Sequence, residues 1–196
     1  MDEDNPHYVR LKNIEKLVQS GAKLTYQLLE YARSGTYEIR PISLNQIVME
    51  TAETFGMTRK EIRIHFELDK DGCGIIADQS QIEQVLLNLF VNAADAMPTG
   101  GDLYIRTGHV NSKELKDRLY NPKPGNYVML SVRDTGIGMD KDVLNRIFDP
   151  FFTTKGLGRG TGLGLASVYG IIKAHKGYID VKSEKGRGSD FQILLP

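Results

Sequence analysis

Two glycine-rich segments do most to limit the folds open to this chain. The first is Asp134-Thr135-Gly136-Ile137-Gly138, and the second has glycines at 156, 158, 160, 162 and 164. Taken singly, they are also explained by a turn at a strand end and by a flexible loop. However, glycine lets the backbone approach a ligand closely, and free amides at a helix start near Thr161 would hold phosphate oxygens. One acidic side chain between two such turns predicts a nucleotide pocket.

The composition agrees with one core and excludes some function classes. The 196 residues are 40% apolar, and the zero formal net charge argues against nucleic-acid binding. A single cysteine, Cys73, excludes an internal disulfide and fits a reducing compartment. No apolar run approaches a membrane span, and the acidic start Met-Asp-Glu-Asp is unlike a signal peptide. We expect a cytoplasmic location, with any membrane anchor of the parent protein outside this sequence.

Positions 6–33 predict one long helix. Apolar residues recur there near a seven-residue period, after Asp4 or Asn5 and Pro6 as start signals, and Gly35 ends the pattern. A helix of that length reaches about 40 Å. It is therefore expected to pair with other helices in a coiled coil or bundle.

The rest of the chain alternates helical and strand patterns. Helices are predicted over 44–56, 79–97 and 161–174. Ser43 would cap the first helix, and Asp78 with Gln81 would form a capping box for the second. Strands are predicted near 75–76 and over 62–68, 102–109, 126–133, 177–183 and 189–195. The stretch 110–125 is predicted as a surface excursion with a helical turn at 112–119. This mixture indicates an α+β two-layer sandwich, one sheet with helices on one face.

The predicted helix 79–97 carries three amides on one stripe. Gln84, Asn88 and Asn92 stand at successive i, i+4 positions. They are either satisfied buried amides, a solvated edge or the lining of a site. An amide oxygen is a competent ligand for Mg²⁺, which takes one or two protein ligands beside waters and phosphate oxygens. Asn92 is therefore the candidate metal ligand.

Asp134 is the candidate contact for the base. An ionised carboxylate only accepts hydrogen bonds, so it would favour the exocyclic amine of adenine over guanine. Gly136 and Gly138 would let the backbone approach the ring. Between the glycine segments, Phe148 and its aromatic neighbours either pin the loop to the core or face the ligand. Lys155 is either solvated or neutralises the β- or γ-phosphate.

In this order, the motifs resemble the catalytic and ATP-binding domain of sensor histidine kinases. The resemblance covers roughly 40–196. The amide stripe is similar to the family's N box, and the Asp134 turn to its first glycine box. An F box, a second glycine box and a final glycine-rich box correspond to Phe148–Lys155, Gly158–Gly164 and Gly186–Ser189. The segment from Thr161 further resembles nitrogen-regulator-type and hybrid kinases.

The resemblance implies the Bergerat sandwich, with a long N-terminal helix and a mobile lid at about 139–160 over ATP. Asn92 would ligate Mg²⁺, Asp134 would contact adenine, and Ser189 would lie beside it. Catalysis would involve Asn88 and Lys155. The full set of nucleotide-binding residues that it implies is Asn92, Asp95, Asp134, Gly136, Gly138, Phe148, Thr153, Thr154, Lys155, Gly158, Gly160, Thr161, Gly162, Leu163, Gly164 and Ser189.

Asn88 separates a kinase from a hydrolase in the wider superfamily of gyrase, the ninety-kilodalton heat-shock chaperone and mismatch-repair ATPases. In those relatives a glutamate four residues before the Mg²⁺ asparagine activates water. An amide cannot take that proton near neutral pH. The resemblance thus implies phosphoryl transfer to a histidine. A gyrase- or chaperone-type ATPase and a non-catalytic nucleotide-responsive module are the alternatives.

The phosphoacceptor is the part of the family pattern that this sequence does not match. In the family it lies on the first helix of a dimeric four-helix bundle and precedes an acidic residue, whereas 6–33 resembles the second helix. None of the four histidines, His7, His65, His109 and His175, stands in that pattern. Residues 1–36 are interpreted as an incomplete dimerisation stalk and 37–196 as the catalytic domain. A homodimer and a response-regulator receiver domain are the expected partners.

Overall fold

The computed structural model describes residues 38–115, 122–155 and 160–196. The predicted helix 6–33, the domain boundary near 36 and the end of the predicted turn 112–119 lie outside these ranges. Strands and helices alternate along the described chain. In order they are β1 Ile39–Ser43, α1 Leu44–Thr58, β2 Ile62–Glu67, β3 Gly74–Asp78, α2 Gln79–Ala96, β4 Gly101–Asn111, a 3₁₀ turn Ser112–Leu115, β5 Asn126–Asp134, α3 Lys141–Leu144, α4 Gly164–Ala174, β6 Tyr178–Ser183 and β7 Ser189–Leu195.

Five strands form one sheet in the order β2-β4-β5-β7-β6. The β2–β4 pair is parallel and the other pairs are antiparallel. The strands β1 and β3 form a separate antiparallel pair. Side chains along β4 alternate between the core and solvent, as Leu103, Tyr104, Ile105 and Arg106 illustrate. The predicted α+β sandwich, one sheet covered on one face by helices, is confirmed.

The helix α2 lies at the centre of the helical layer, between α1 and α4. Its residues Leu86, Leu89 and Phe90 are almost completely buried, and the Phe90 ring lies 5.5 Å from that of Phe55 in α1. Burying each such side chain contributes about 1.5–3 kcal/mol. This packing fixes the direction in which α2 presents its polar stripe. Among the described residues, no helix is long and apolar enough to cross a membrane.

The predicted cap of α1 is confirmed, whereas the capping box of α2 forms only by half. Asp78 accepts a hydrogen bond from the Gln81 amide at 3.1 Å, as predicted. The return bond does not form, because the Asp78 amide donates instead to His175 Nε2 at 3.0 Å. His175 lies just beyond α4, and its Nδ1 faces the Ile171 carbonyl oxygen at 2.9 Å. A long-range side chain thus replaces the local one that the sequence suggested.

Replacing His175 with alanine is expected to lower the free energy of unfolding by about 1–3 kcal/mol, because the buried Asp78 amide loses its acceptor. Denaturant unfolding of the variant tests this. The matched control is His65→Ala, since His65 is an exposed histidine of β2 that forms a hydrogen-bonded pair with Asp102 at the surface. That pair contributes at most about 1 kcal/mol. Equal losses in the two variants would contradict the assignment of His175 as a cap.

Candidate nucleotide-binding site

A cavity of about 750 Å³ lies between α2, the end of β5 and the segment that leads into α4. The structure brings most of the predicted site residues to its walls. Those that line it are Asn88, Asn92, Asp95, Asp134, Gly138, Thr153, Thr154, Lys155, Gly160, Thr161, Gly162, Gly164 and Ser189.

Three predicted residues lie outside the cavity lining. A Cβ on Gly136 would lie 2.6 Å from the Ala96 carbonyl oxygen, so this glycine serves the packing of β5 against the end of α2. The Phe148 ring packs 5.2 Å from Tyr169 of α4, which matches the simpler explanation that it pins the loop. Leu163 is the residue that precedes α4. Gly158 lies outside the described residues.

The cavity also has apolar walls, which the motifs indicate only at Ile137 and Phe152. Ile137, Met139, Ile147, Phe152 and Phe191 line it. A flat aromatic base is held largely by such side chains. The Phe152 ring lies under the Arg146 guanidinium, 4.3 Å from it. For Met139, Ile147 and Phe191 the only signal in the sequence is ordinary apolar patterning, which does not separate a pocket wall from the core.

Asp134 ends β5 at a core-facing position and is only 3% exposed. Its Oδ1 accepts a hydrogen bond from the Gly136 amide at 2.8 Å. Burial raises the pKa of this carboxyl group, and the amides of Gly136 and Ser189 oppose the rise by hydrogen-bonding to it. A buried carboxylate that lines a cavity favours a partner that donates a hydrogen bond.

A pair of serines adjoins Asp134. Ser183 Oγ donates to the Gly188 carbonyl oxygen at 2.9 Å and accepts from the Met139 amide at 2.8 Å. Because its single proton is used, Ser189 Oγ is the donor in the 3.0 Å contact between the two hydroxyls. Ser189 therefore faces the cavity as a hydrogen-bond acceptor.

Gly188 allows the turn before β7 to pack closely against the end of β5. It has a φ of 82°, and a Cβ there would collide with the Asp134 carbonyl. A glycine is required on both counts. The final glycine-rich turn thus fixes the end of β5 against the start of β7, which places Asp134 and Ser189 side by side.

The other end of the cavity is polar and contains the positively charged side chain of Lys155. Lys155 Nζ donates to Asp95 Oδ2 at 2.5 Å and to Asn92 Oδ1 at 3.3 Å. Both acceptors are on α2, on the side that faces the cavity. The carboxylate and amide oxygens therefore form a site that already attracts positive charge.

The helix α4 begins at Gly164, three residues later than predicted. Gly162 prevents an earlier start, because it has a φ of 66° and its carbonyl accepts the Phe151 amide at 2.9 Å. A Cβ on Gly164 would lie 3.5 Å from Asn88 Oδ1 and 3.9 Å from Asn92 Nδ2. The start of α4 thus faces the amide stripe of α2 across the cavity, and the amides at a helix start attract anions.

Comparisons with known proteins agree with this geometry. Residues 77–196 match the family described as histidine kinase-, DNA gyrase B- and HSP90-like ATPase. The sensor kinase CckA of Brucella abortus (strain 2308) is 39% identical over 194 residues, which are 98% of this chain and 20% of that protein. This chain therefore spans about a fifth of that relative's length.

Two solved structures share the fold. The catalytic domain of the histidine kinase ThkA is 30% identical with a TM-score of 0.65, over 81% of this chain and 95% of that one. Full-length ShkA is 25% identical with a TM-score of 0.72, over 100% of this chain and 39% of that one. The chain belongs to the histidine kinase-, DNA gyrase B- and HSP90-like ATPase family, as the ATP-binding catalytic domain of a histidine kinase.

Proposed function

We propose that the cavity binds ATP with Mg²⁺ and that this chain transfers the γ-phosphoryl group to a histidine outside this sequence. One observation supports this most directly. A single cavity has a buried carboxylate, Asp134, at one end and a cation-binding group of oxygens, on Asn92 and Asp95, at the other. Adenine would take the first end and the phosphates the second. The related ShkA was crystallised with AMPPNP, which supports ATP as the ligand.

At the adenine end, Asp134 accepts a hydrogen bond from the exocyclic amine, and Ser189 offers a second acceptor beside Asp134. The apolar side chains Ile137, Met139 and Phe191 exclude water from the ring. Guanine would place an oxygen against the carboxylate, and two acceptors repel each other. The pocket is therefore selective for adenine.

At the phosphate end, the residues fit Mg²⁺. Lys155 shows that Asn92 Oδ1 and Asp95 Oδ2 together attract a cation, and oxygen donors are what Mg²⁺ prefers. Asn92 would hold the ion directly. When bound, Mg²⁺ neutralises charge on the phosphates. Lys155 would then turn to the β- or γ-phosphate, and the amides at the start of α4 would hold the remaining oxygens.

Asn88 supports transfer rather than hydrolysis. Its amide faces the start of α4 at the phosphate end, and it cannot act as a general base for water. The described histidines are poor acceptors, since His175 is buried with both ring nitrogens engaged. The Nε2 atoms of His65 and His109 are engaged with Asp102 and with the Gly72 carbonyl, and neither histidine stands in the family's acceptor pattern. His7 lies outside the described residues. We therefore propose that the acceptor is a histidine on a dimerisation helix of the parent protein.

The remaining expectations complete this proposal. Residues 1–36 form a dimerisation stalk, 37–196 the catalytic domain and about 139–160 a lid over ATP, with the short helix α3 inside the lid. The parent is a cytoplasmic or membrane-anchored homodimer that passes the phosphate to a response regulator. Support for that partner class comes from ThkA, whose structure was solved in complex with the response regulator protein TrrA.

The decisive experiment supplies labelled ATP and a separate acceptor-helix protein that contains the family's histidine. We expect the chain to label the acceptor only when Mg²⁺ is present. Nucleotide binding without any transfer would contradict the kinase proposal. Rapid release of phosphate by the chain alone would instead favour the gyrase-type ATPase.

Replacing Lys155 with alanine is expected to slow phosphoryl transfer about tenfold or more and to weaken ATP binding less, because a phosphate charge gains more neutralisation as it is transferred. Binding and transfer are measured on the same preparation. Lys113→Ala is the control, since Lys113 is an exposed lysine in the 3₁₀ turn Ser112–Leu115 and does not line the cavity. An equal loss in the control, or none in Lys155→Ala, would remove Lys155 from the mechanism.

A further inference from the structure

Three side chains that can bind a transition metal converge at the end of β4 remote from the nucleotide cavity. One ligand atom from each of Asp69, Cys73 and His109 lies within 4.8 Å of the other two. Asp69 and Cys73 belong to the connection between β2 and β3, and His109 to β4. His109 is six residues beyond Leu103, which pairs with Asp134. At about 3.4 Å per residue, the cluster lies about 20 Å along the strand from the adenine end.

We propose that Asp69, Cys73 and His109 form a binding site for Zn²⁺ or another ion of its class, with a fourth position open to water. Zinc binds carboxylate, thiolate and imidazole ligands, whereas Mg²⁺ and Ca²⁺ select oxygen alone. Ligands at about 2.0–2.3 Å from a tetrahedral ion lie about 3.3–3.8 Å apart. A contraction of at most about 1–1.5 Å therefore closes the cluster around an ion.

A backbone hydrogen bond fixes which ring nitrogen of His109 carries the proton. One of its ring nitrogens, Nε2, lies 2.9 Å from the Gly72 carbonyl oxygen. A carbonyl only accepts, so Nε2 carries the proton and Nδ1 keeps its lone pair. Histidines that bind metals commonly donate their other ring N–H to a backbone carbonyl in this way. An ion that binds through Nδ1 would therefore find this proton position already in place.

Asp69 is held by its own loop and by β4. Its Oδ1 accepts the Asp71 amide at 3.0 Å, and its amide donates to Thr107 Oγ1 at 3.1 Å. The second oxygen, Oδ2, points to β4 and lies 4.0 Å from the Cβ position of Gly108. Gly108 precedes His109, so a carboxylate oxygen of the β2–β3 connection lies close to the part of β4 that carries the imidazole.

The burial of the three ligands suits a site that an ion enters from one side. Cys73 is 1% exposed, Asp69 is half-buried and His109 is exposed. The ion would approach past the exposed His109 and meet the buried thiol. The Cys73 carbonyl also accepts the Leu44 amide at 2.8 Å, at the start of α1. A bound ion would therefore tie the β2–β3 connection to β4 and stabilise the fold.

The test is a titration of the 196-residue chain with Co²⁺, without nucleotide, followed by displacement with Zn²⁺. We expect one equivalent of Co²⁺ with a thiolate-to-metal charge-transfer band and a higher melting temperature. His109→Ala and Cys73→Ala are expected to weaken metal binding by at least roughly 10–100-fold. That is the loss expected when only a residue supporting a ligand is removed, and these variants remove a ligand itself. His65→Ala is the matched control, an exposed histidine of β2.

Because His109 is exposed, its alanine variant should fold, and ATP binding by each variant checks this. ATP binding is expected to stay unchanged, so failure of the metal site and failure of the proposed kinase function are distinguishable. Absence of a charge-transfer band in the unmodified chain would overturn the proposal. So would a band that persists in Cys73→Ala, or an equal loss of affinity in His65→Ala.

Discussion

Replacing Asp134 with asparagine is expected to weaken ATP binding about 100-fold. A hydrogen bond to a charged group contributes about 1.5–3 kcal/mol, and 100-fold corresponds to about 2.7 kcal/mol. The variant amide group would also point a donor at the donor of adenine, or rotate and give up the Gly136 amide. Isothermal titration with ATP and with ADP measures the loss, which should be equal for both because they share adenine.

The same variant should gain stability relative to the unmodified protein as the pH rises from about 4 to about 7. Folding raises the pKa of Asp134 through burial, so the folded state favours the protonated acid. The resulting destabilisation is absent below the unfolded value of 3.8 and complete above the raised folded value. Asparagine carries no charge at any of these pH values. Its advantage in melting temperature should therefore be largest near pH 7 and shrink as the pH falls toward 4.

Asp190→Asn is the matched control for both effects. Asp190 is half-buried in β7 but faces the other side of the sheet, where it accepts from Ser131 Oγ at 2.7 Å. The same chemical change there should leave ATP binding intact. If Asp134→Asn bound ATP as tightly as this control does, adenine would not contact Asp134. A difference in melting temperature between the two proteins that did not change with pH would contradict the electrostatic argument.

The fold could be predicted where the signals are local. The cap at Ser43 and the alternating strands β4 and β5 depend on neighbouring residues alone, and all are confirmed. The return bond of the capping box was predicted wrongly. The Asp78 amide donates instead to His175, which is 97 residues away in the sequence. The pairing of β1 with β3 apart from the main sheet was not predicted either. Such long-range choices depend on how the elements pack, which a single sequence does not state.

The candidate site shows the same division. Asp134, Asn92 and Lys155 could be singled out because carboxylate, amide and ammonium groups in glycine-rich surroundings imply ligand chemistry. The walls formed by Met139 and Phe191 could not, since an apolar side chain has the same pattern in a pocket and in a core. The late start of α4 had a signal in glycine, but only the backbone shows that Gly162 has a positive φ.

Replacing Asn92 with alanine is expected to abolish the gain in ATP affinity that Mg²⁺ provides and to slow phosphoryl transfer about 100-fold or more, in line with the several kcal/mol that a metal supplies. Lys155 would keep Asp95 as its partner, because that contact does not involve Asn92. Titration with ATP in Mg²⁺ and in chelator separates the two terms. Affinity in chelator should match the unmodified protein, since adenine binding depends on Asp134.

Gln84→Ala provides the control for Asn92→Ala. Gln84 is on the same stripe of α2, eight residues earlier, but does not line the cavity. Removing its amide should change neither the gain in ATP affinity that Mg²⁺ provides nor the rate of phosphoryl transfer. We expect this because the stripe would bind the ion only where it faces the start of α4. If Mg²⁺ still raised the ATP affinity of Asn92→Ala by the normal amount, the ion would have another ligand, and Asp95 is the nearest carboxylate. Equal losses with and without Mg²⁺ would instead assign Asn92 to the shape of the pocket.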